Sequence, residues 1–430
     1  MSRSFSDFLF FCEAGDELPG WDDTLAVLGG AEDKKNALIR RLVSFAAEFS
    51  LAGNLWQQWL TYVLMMHENA FTLTCERETL APDATAAALA GEDLKKFMEL
   101  FSMRSDSSPD LAFLRRLTDY HEAYAEKKPN RAGRKIAELS AALAASGNLK
   151  EFSEKVCSYY ASFGVGIFGL FKAFRISGDE GRFGLIPVTD DTDVCFDDLI
   201  GLEEQKKTLR ANTEAFLNGK RANNVLLYGD SGTGKSTSVH ALMHDYYAQG
   251  LRLGELSKPD RALLPRVLAA VKKRNYHFII FLVDLSFEEN ESEYKELKAM
   301  LEGALEKRAD RVLIYATSNR RHLIRETWSD RRDMEYQDDI HHSDTMEEKL
   351  SLASRFGVAI YYSKPNAKEY LHIVQELTAR SGIEMDAREL CDTARKWELR
   401  HGGMSGRTAS QLIAWIEGSQ ISEHNDLNQE

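Results

Sequence analysis

The stretch Asn224–Ser238 reads N-V-L-L-Y-G-D-S-G-T-G-K-S-T-S and decides the fold of the region around it. Its first part, Val225–Tyr228, is a short apolar run typical of a buried parallel strand, and Gly229–Ser236 then spells G-x-x-x-x-G-K-S. A strand, a glycine-rich loop and a helix start in this order predict a phosphate-binding P-loop. A glycine-rich turn with an incidental lysine is the alternative, and the order of the three elements disfavours it.

Each residue type in this loop suits a nucleotide. Glycines allow the tight turn and leave room for backbone N–H groups around phosphate oxygens. The Lys235 ammonium is expected at the β- and γ-phosphates and the Ser236 hydroxyl at Mg²⁺, while the N-terminus of the following helix favours an anion. The sequence therefore predicts a site for ATP and Mg²⁺. The predicted nucleotide-binding residues of the loop are Gly229, Asp230, Ser231, Gly232, Thr233, Gly234, Lys235, Ser236 and Thr237.

The composition of the 430 residues is that of a soluble globular protein with two or three domains. A formal net charge of −13 disfavours a broad nucleic-acid-binding surface. The five cysteines are scattered and contain no C-x-x-C pair, which fits reduced thiols in a cytosol better than disulfides. There is no signal-peptide pattern and no apolar run of about 18 residues, so the sequence predicts a cytoplasmic protein without a membrane span.

The sequence pattern divides the chain into a helical N-terminal region and a region in which strands and helices alternate. The N-terminal region has helical spacing of apolar residues, and residues rich in Gly, Asp and Thr around Pro187 indicate a linker. Strands and helices then alternate, which predicts a parallel α/β sheet with helices on both faces. The predicted strands are Val225–Tyr228, Leu251–Leu256, Phe278–Val283, Arg311–Ala316 and Ala359–Ser363. The predicted domains are an all-α adaptor domain for a protein partner over 1–175, a linker over 176–193, the nucleotide-binding domain over 194–364, a helical region over 365–422 and a polar tail over 423–430.

Three other patterns have explanations that involve no cofactor. Gly164–Gly169 matches G-x-G-x-x-G, but the preceding segment looks helical, so a small-residue helix contact or loop is favoured over a dinucleotide site. The adjacent histidines His341 and His342 are a poor chelating arrangement. The basic run Arg320–His322 is compatible with a solvated loop, a phosphate contact or an interface element.

Polar residues follow the predicted strands where a nucleotide site needs them. Asp284 comes directly after the apolar run Phe278–Val283, where a carboxylate can reach the Mg²⁺ shell, and Asn319 ends the next strand. Arg355 follows a predicted helix, and Arg407 lies in the C-terminal helical region. This order resembles an AAA+ module. The resemblance implies that Asn319 positions the attacking water, that Arg355 acts on the neighbouring subunit's site in a homo-oligomer, and that Arg407 contacts the γ-phosphate from a helical lid.

A closer resemblance is to a bacterial family of AAA+ ATPases, predicted from sequence, whose function is unknown. It covers about 194–416 strongly, and it implies that Ile200 and Gly201 belong to the nucleotide-binding residues. The segments that carry it are Phe196–Gly201, Asp284–Glu288, Leu297–Gly303, Tyr315–Leu323, Leu350–Gly357 and Ser405–Arg407.

One departure from that family concerns catalysis. The family's apolar strand ends in two consecutive aspartates, and here Val283 occupies the first position. AAA+ enzymes use an Asp at Mg²⁺ and the next acidic residue as the base that activates water. Asp284 is then the carboxylate expected in the Mg²⁺ shell with Ser236, and Glu288 is a substitute for the base. Loss of one acid–base partner lowers a rate by about 10²–10⁴, so ATP binding is predicted more firmly than hydrolysis.

The leading interpretation is an ATP-dependent AAA+ switch or remodelling ATPase that acts on a macromolecular partner. A nucleotide-loaded binding or scaffold module with little or no hydrolysis is the second, and Val283 favours it. A P-loop kinase for a small acceptor is the third; the sequence lacks an obvious Arg-rich mobile lid, which disfavours it. A DNA-loading ATPase is weakened by the acidic balance.

Overall fold

The computed structural model describes most of the chain, and its described residues form two compact units. One unit comprises Met1–Lys172 with Pro187–Asp191, and the other comprises Ala173–Ile186 with Thr192–Glu430. The described residues are 7–15, 18–77, 85–103, 114–115, 117–121, 130–179, 182–188, 194–272, 274–287, 297–298, 301, 311–319 and 352–427.

The N-terminal unit is helical in its described part, as the sequence predicts. Asparagine side chains cap three of its helices, because Asn54, Asn130 and Asn148 each accept a backbone N–H of the first turn. The core is aromatic: Trp21 stacks on Phe97 with ring centroids 5.8 Å apart. The helices are α1 (Trp21–Leu28), α2 (Lys35–Phe49), α3 (Leu55–Met66), α4 (Ala70–Arg77), α5 (Thr85–Ser102), α6 (Arg131–Ala144), α7 (Leu149–Phe163) and α8 (Gly166–Leu170).

The second unit is built on a seven-stranded sheet with the order β2-β1-β4-β5-β6-β3-β7. Every described pairing from β1 to β7 is parallel. All side chains of β6 are buried, which accounts for its apolar sequence. The strands are β1 (Ala173–Asp179), β2 (Arg182–Pro187), β3 (Val225–Gly229), β4 (Leu251–Leu256), β5 (His277–Leu282), β6 (Val312–Ser318) and β7 (Val358–Tyr362). The helices are α9 (Glu203–Leu217), α10 (Lys235–Tyr246), α11 (Leu264–Val271), α12 (Ala367–Ser381), α13 (Ala387–Arg400) and α14 (Gly406–Leu427).

The predicted linker over 176–193 is largely part of this sheet. β1 pairs in parallel with β4, and β2 is the next strand outward. Phe174 and Ile176 are buried, and Gly254 in β4 leaves the space that the Ile176 side chain occupies. The high content of Gly and Asp in this segment therefore hides two strands, and the partner of one of them, β1, lies far along the chain. The boundary between the units falls after Lys172, three residues before the predicted end of the N-terminal domain.

The strand register brings the carboxyl ends of the central strands to one edge. Tyr228 of β3 pairs with Ser318 of β6, and Leu282 of β5 pairs with Ala316 of the same strand. The loop after β3, the turn after β5 and the residue after β6 therefore lie together. This edge is where parallel α/β sheets bind ligands.

The helices α12, α13 and α14 pack around their own apolar core, which confirms the predicted C-terminal helical region. A capping box of Asn366 and Glu369 starts α12, and Gly382 with a φ of +68° ends it. The buried residues of this core are Tyr370, Val374, Leu390, Ala394, Ala409, Leu412, Ile413 and Ile416.

Candidate nucleotide-binding site

The P-loop is attached to strand β7. Gly229 has a φ of +130°, and a Cβ at this position would collide with the carbonyl oxygen of Tyr362. The same carbonyl accepts the N–H of Asp230 at 3.0 Å, and the Asp230 carboxylate accepts the N–H of Lys364 at 3.1 Å. Thr233 closes the loop internally, because its hydroxyl donates to the carbonyl of Asp230 at 2.7 Å. The loop conformation is thus set by close backbone contacts that only a glycine at 229 permits.

Lys235 opens α10 and its side chain is buried inside the loop. Its Nζ donates to the carbonyl oxygens of Gly229 at 2.8 Å and Asp230 at 2.6 Å, and to Oδ1 of Asn319 at 3.1 Å. Burial lowers the pKa of Lys235, the charges of Asp230 and Asp284 offset part of that effect, and Arg407 adds to it. A cation held by neutral carbonyls in a glycine-lined loop is arranged to receive an anion.

Asn319 connects this lysine to Asp284. The Asn319 amide nitrogen donates to Oδ1 of Asp284 at 3.3 Å, while its oxygen accepts from Lys235. Both Asn319 and Asp284 are exposed, so their side chains face solvent beside the buried ammonium. Residues predicted as separate site elements after β3, β5 and β6 are therefore brought into one hydrogen-bonded chain.

The turn after β5 displays Asp284 from an unusual backbone conformation. Asp284 has a φ of +48°, in the left-handed region that non-glycine residues rarely adopt. Its N–H donates to the Thr317 hydroxyl at 3.1 Å, and the N–H of Leu285 donates to the Thr317 carbonyl at 2.6 Å. Val283 is half-buried, and its N–H still pairs with the carbonyl of Leu256 at 3.3 Å. In the described residues of this turn, Asp284 supplies the carboxylate.

Arg261 holds the other side of this turn, and sequence reasoning missed it. Its buried guanidinium donates to the carbonyl oxygens of Asp284 at 2.9 Å, Ser286 at 3.2 Å and Val283 at 3.4 Å. It also lies over the ring of Phe287, with 5.4 Å from Cζ to the ring centroid. Arg261 follows β4, the neighbour of β5, so only the strand order reveals that the two segments meet.

The start of α14 contacts the P-loop. The N–H of Arg407 donates to the carbonyl of Gly232 at 3.2 Å, and the Ser405 hydroxyl accepts the N–H of Thr408 at 3.1 Å as a helix cap. Gly232 has a φ of +77°, and a Cβ there would lie 3.0 Å from the Ser405 hydroxyl oxygen. The Arg407 side chain is exposed at this contact. The helical lid therefore touches the loop where Arg407 was expected.

The segment that contains Ile200 and Gly201 borders the loop at Gly234. A Cβ on Gly234 would lie 3.1 Å from Cδ1 of Leu202 and 3.7 Å from Cδ2 of Leu199. Gly201 is exposed and has a φ of +78°. The two predicted nucleotide-binding residues thus lie between side chains that flank the loop.

The remaining predicted site residues lie in α10, just before β7 or outside the described residues. Ser236 and Thr237 are half-buried in the first turn of α10. Arg355 is exposed, three residues before β7, and its N–H donates to the carbonyl of Leu352 at 3.2 Å. Glu288 lies outside the described residues, as do the basic run at 320–322 and the paired histidines at 341 and 342.

The other motifs considered from the sequence do not form a cofactor site in the described residues. The Gly164–Gly169 segment directly follows helix α7 and overlaps helix α8, so the strand that a dinucleotide fingerprint requires is absent there. Within the part of the chain that the structure describes, no group of three or more His, Cys, Asp or Glu side chains could hold a metal ion. None of the described helices has the length and apolarity needed to cross a membrane.

A P-loop on a central parallel strand, polar residues at the ends of neighbouring strands and a helical lid against the loop define an AAA+ P-loop module. Residues 170–420, more than half of the chain, match the family described as "Protein of unknown function (DUF815)". The chain belongs to this family. The predicted membership in a P-loop AAA+ family of unknown function is thereby confirmed.

Solved structures with a similar fold include a mutant of RuvB from Thermotoga maritima, with 17% identity and a TM-score of 0.38 over 54% of this chain and 67% of that chain. The AAA domain of FIGL-1 in complex with ADP has 19% identity and a TM-score of 0.37, over 55% of this chain and 77% of that chain. At these identities and TM-scores, neither likeness supports a conclusion about activity. No curated protein sequence matches the chain significantly.

Proposed function

We propose that this protein is an ATP-binding AAA+ ATPase that couples its nucleotide state to the assembly or remodelling of a macromolecular partner in the cytoplasm. The observation that carries the proposal is the hydrogen-bonded chain from Lys235 through Asn319 to Asp284 beside the P-loop. It joins a phosphate-facing cation, an amide that could orient water and a carboxylate within one site. The N-terminal helical unit is proposed as the part that binds the protein partner.

The site residues fit ATP with Mg²⁺. The Lys235 ammonium is the charge for the terminal phosphates, and the loop glycines leave its backbone open to an anion. The Ser236 hydroxyl and the Asp284 carboxylate are oxygen donors, which Mg²⁺ prefers. When bound, Mg²⁺ would neutralise phosphate charge. Asn319 would hold the attacking water, and Asp284, the carboxylate of the described turn, would have to serve both the Mg²⁺ ion and the proton of that water.

Thermal stabilisation by ATP tests the binding step. A ligand at 100-fold its Kd stabilises a protein by roughly 2.7 kcal/mol, so ATP with Mg²⁺ should raise the melting temperature of the wild type. Lys235→Ala should abolish this shift. Lys206→Ala is a matched control, because Lys206 is also a buried lysine but pairs with Glu203 in α9 at 2.9 Å. An unchanged ATP-dependent shift in Lys235→Ala would refute the proposed binding site.

A nucleotide-loaded scaffold with little hydrolysis is the second candidate, and Val283 favours it. Two carboxylates are the usual arrangement for holding Mg²⁺ and activating water, and the described turn after β5 presents Asp284 alone. In this case ATP binding itself would set the assembly state. Strong ATP-dependent stabilisation together with negligible phosphate release would distinguish the scaffold from the ATPase.

Arg355 supports the further proposal that sites are shared between subunits of a homo-oligomer. Its side chain is exposed just before β7, where a planar guanidinium could reach a phosphate of a neighbouring copy. An arginine finger supplied in trans contributes about 10³–10⁵ in rate. Arg355→Ala should keep ATP binding and lose turnover, and mixing it with Lys235→Ala should restore part of the activity. A wild type that stays monomeric with ATP, with turnover per chain independent of dilution, would contradict shared sites.

A further inference from the structure

Two cysteine thiols meet inside the N-terminal unit. Cys75 on α4 and Cys157 on α7 lie 82 positions apart in sequence, and their sulfur atoms are 4.0 Å apart. Cys75 is buried, whereas Cys157 is half-buried. A disulfide bond needs a sulfur–sulfur distance of about 2.05 Å, so the two sulfur atoms would have to move about 2 Å closer together to be joined.

Neighbouring contacts hold the two helices together at this point. The rings of Phe71 on α4 and Tyr160 on α7 pack edge to face, with centroids 6.2 Å apart. The buried carboxylate of Glu76, next to Cys75, accepts the N–H of Val165 at 3.1 Å, just beyond the end of α7. The thiol pair therefore lies between a ring contact and a buried hydrogen bond, both of which join α4 to α7 or to the residues just after it.

The two thiols are chemically unequal. The Cys75 thiol donates to the Cys157 sulfur, which lowers the pKa of Cys157, although burial opposes the shift. The same hydrogen bond and burial raise the pKa of Cys75. The hydrogen bond therefore makes Cys157 the easier of the two thiols to deprotonate, and the thiolate is the nucleophilic form of cysteine. The buried thiol is positioned to react with Cys157 in a second step.

We propose that Cys75 and Cys157 form a redox modification site that a hydroperoxide oxidises to a reversible disulfide. The Cys157 thiolate attacks a peroxide oxygen, so that an S–O bond forms and the O–O bond breaks, and the leaving oxygen takes a proton to become an alcohol or water. The Cys75 sulfur then attacks the Cys157 sulfur, loses its proton and displaces the hydroxyl as water. Two thiols and one hydroperoxide give one disulfide, one alcohol or water molecule and one further water, and a dithiol reverses the reaction.

The other cysteines provide internal comparisons. Cys12 is exposed in the same unit. The Cys195 thiol donates to the Asp198 carboxylate at 3.1 Å, and this hydrogen bond raises the pKa of Cys195. Cys195 should therefore be oxidised more slowly than Cys157, and Cys12, the more exposed thiol, tests whether exposure alone decides the order of oxidation.

The test treats the reduced full-length chain with one equivalent of hydrogen peroxide, blocks the remaining thiols with N-ethylmaleimide and maps peptides without reduction. The expected result is the loss of two thiols per chain, a Cys75–Cys157 cross-linked peptide, and recovery of both thiols with dithiothreitol. Cys75→Ser should leave Cys157 as a sulfenic acid that dimedone traps. Cys157→Ser should lose no thiol at the same dose, and Cys12→Ser should behave as the wild type.

Two outcomes would overturn the proposal. One is oxidation of Cys12 ahead of Cys157, and the other is a disulfide that joins two chains instead of α4 to α7. Because the serine variants could lose stability, the order of alkylation by limiting iodoacetamide is also measured on the wild type. Cys157 should be alkylated before Cys12 and Cys75, and the reverse order would refute the proposed reactivity.

Discussion

The P-loop after β3 and the turn after β5 lie at the same edge of one sheet but are built differently. The P-loop is held by backbone contacts to β7 and by glycines at positions where other residues would collide. The turn is held by side chains, with Thr317 on one side and Arg261 on the other, and Asp284 in this turn has a left-handed backbone conformation. The first region contains the glycines and the lysine that the predicted phosphate site requires, whereas the second presents Asp284 beside an aliphatic Val283.

From this difference we expect ATP binding and ATP turnover to depend on separate parts of the site. We expect Lys235 to contact phosphate whatever follows β5, because two of its hydrogen bonds are to carbonyl oxygens of the loop itself. Proton transfer from water depends on a carboxylate whose position comes from Arg261 and Thr317. The following predictions separate the two regions, beginning with the largest expected effect.

Asp284→Asn should abolish turnover and leave binding intact. Asparagine has nearly the same shape and tolerates the left-handed backbone, but it accepts no proton from water. We expect phosphate release to fall by about 10²–10⁴, while the Kd for ATP stays within a few-fold of the wild-type value. Phosphate-release and equilibrium-binding assays on the same preparation measure both. Equal losses of binding and turnover would mean that the two regions act as one.

Arg261→Gln should loosen the turn after β5 and spare the P-loop. It removes a buried cation from three backbone carbonyls, and such losses cost about 2 kcal/mol of stability. Arg252→Gln is the matched control, because Arg252 is also buried and donates to backbone carbonyls, but at the opposite end of β4. Both variants should melt earlier, and only Arg261→Gln should lower turnover. An equal loss of turnover in both would assign Arg261 a general stabilising role.

ATP affinity should weaken at alkaline pH because of Lys235. Burial lowers the pKa of Lys235 below the ordinary 10.5, and bound phosphates would raise it again. ATP binding therefore takes up a proton at pH values between the pKa of Lys235 in the free protein and its pKa in the complex. The affinity for ATP has its full value below the lowered pKa of Lys235. It falls as pH rises through that pKa, by at most about tenfold per pH unit. Titrations of ATP from neutral to alkaline pH measure this slope. Lys235→Arg, which keeps its charge, should remove the slope, and its persistence would exclude Lys235 as the cause.

The sequence predicted the P-loop well because its signal is local. A strand, a loop and a helix start follow one another within fifteen residues, and the structure has β3, the loop and α10 in that order. The strand over Leu251–Leu256 and the convergence of Lys235, Asp284 and Asn319 followed from the same alternation of strands and helices.

Features that depend on distant pairing were not predictable in this way. Residues 176–179 of β1 were assigned to the linker, since the partner strand β4 is more than seventy residues away along the chain. Arg261 has no sequence signal, because it acts through backbone carbonyls of a neighbouring strand's turn. The scattered cysteines indicated reduced thiols, and only the packing of α4 on α7 brings Cys75 and Cys157 together.

The most direct test of the central claim is a paired measurement of ATP affinity and phosphate release on wild type and Val283→Asp. The second carboxylate should supply the missing acid–base partner, so turnover should rise by about 10² or more, while the Kd for ATP changes little. Val283→Asn is the control for a polar side chain without a charge, and it should not raise turnover. A folded Val283→Asp variant with unchanged or lower turnover would contradict the claim that the turn after β5 limits hydrolysis.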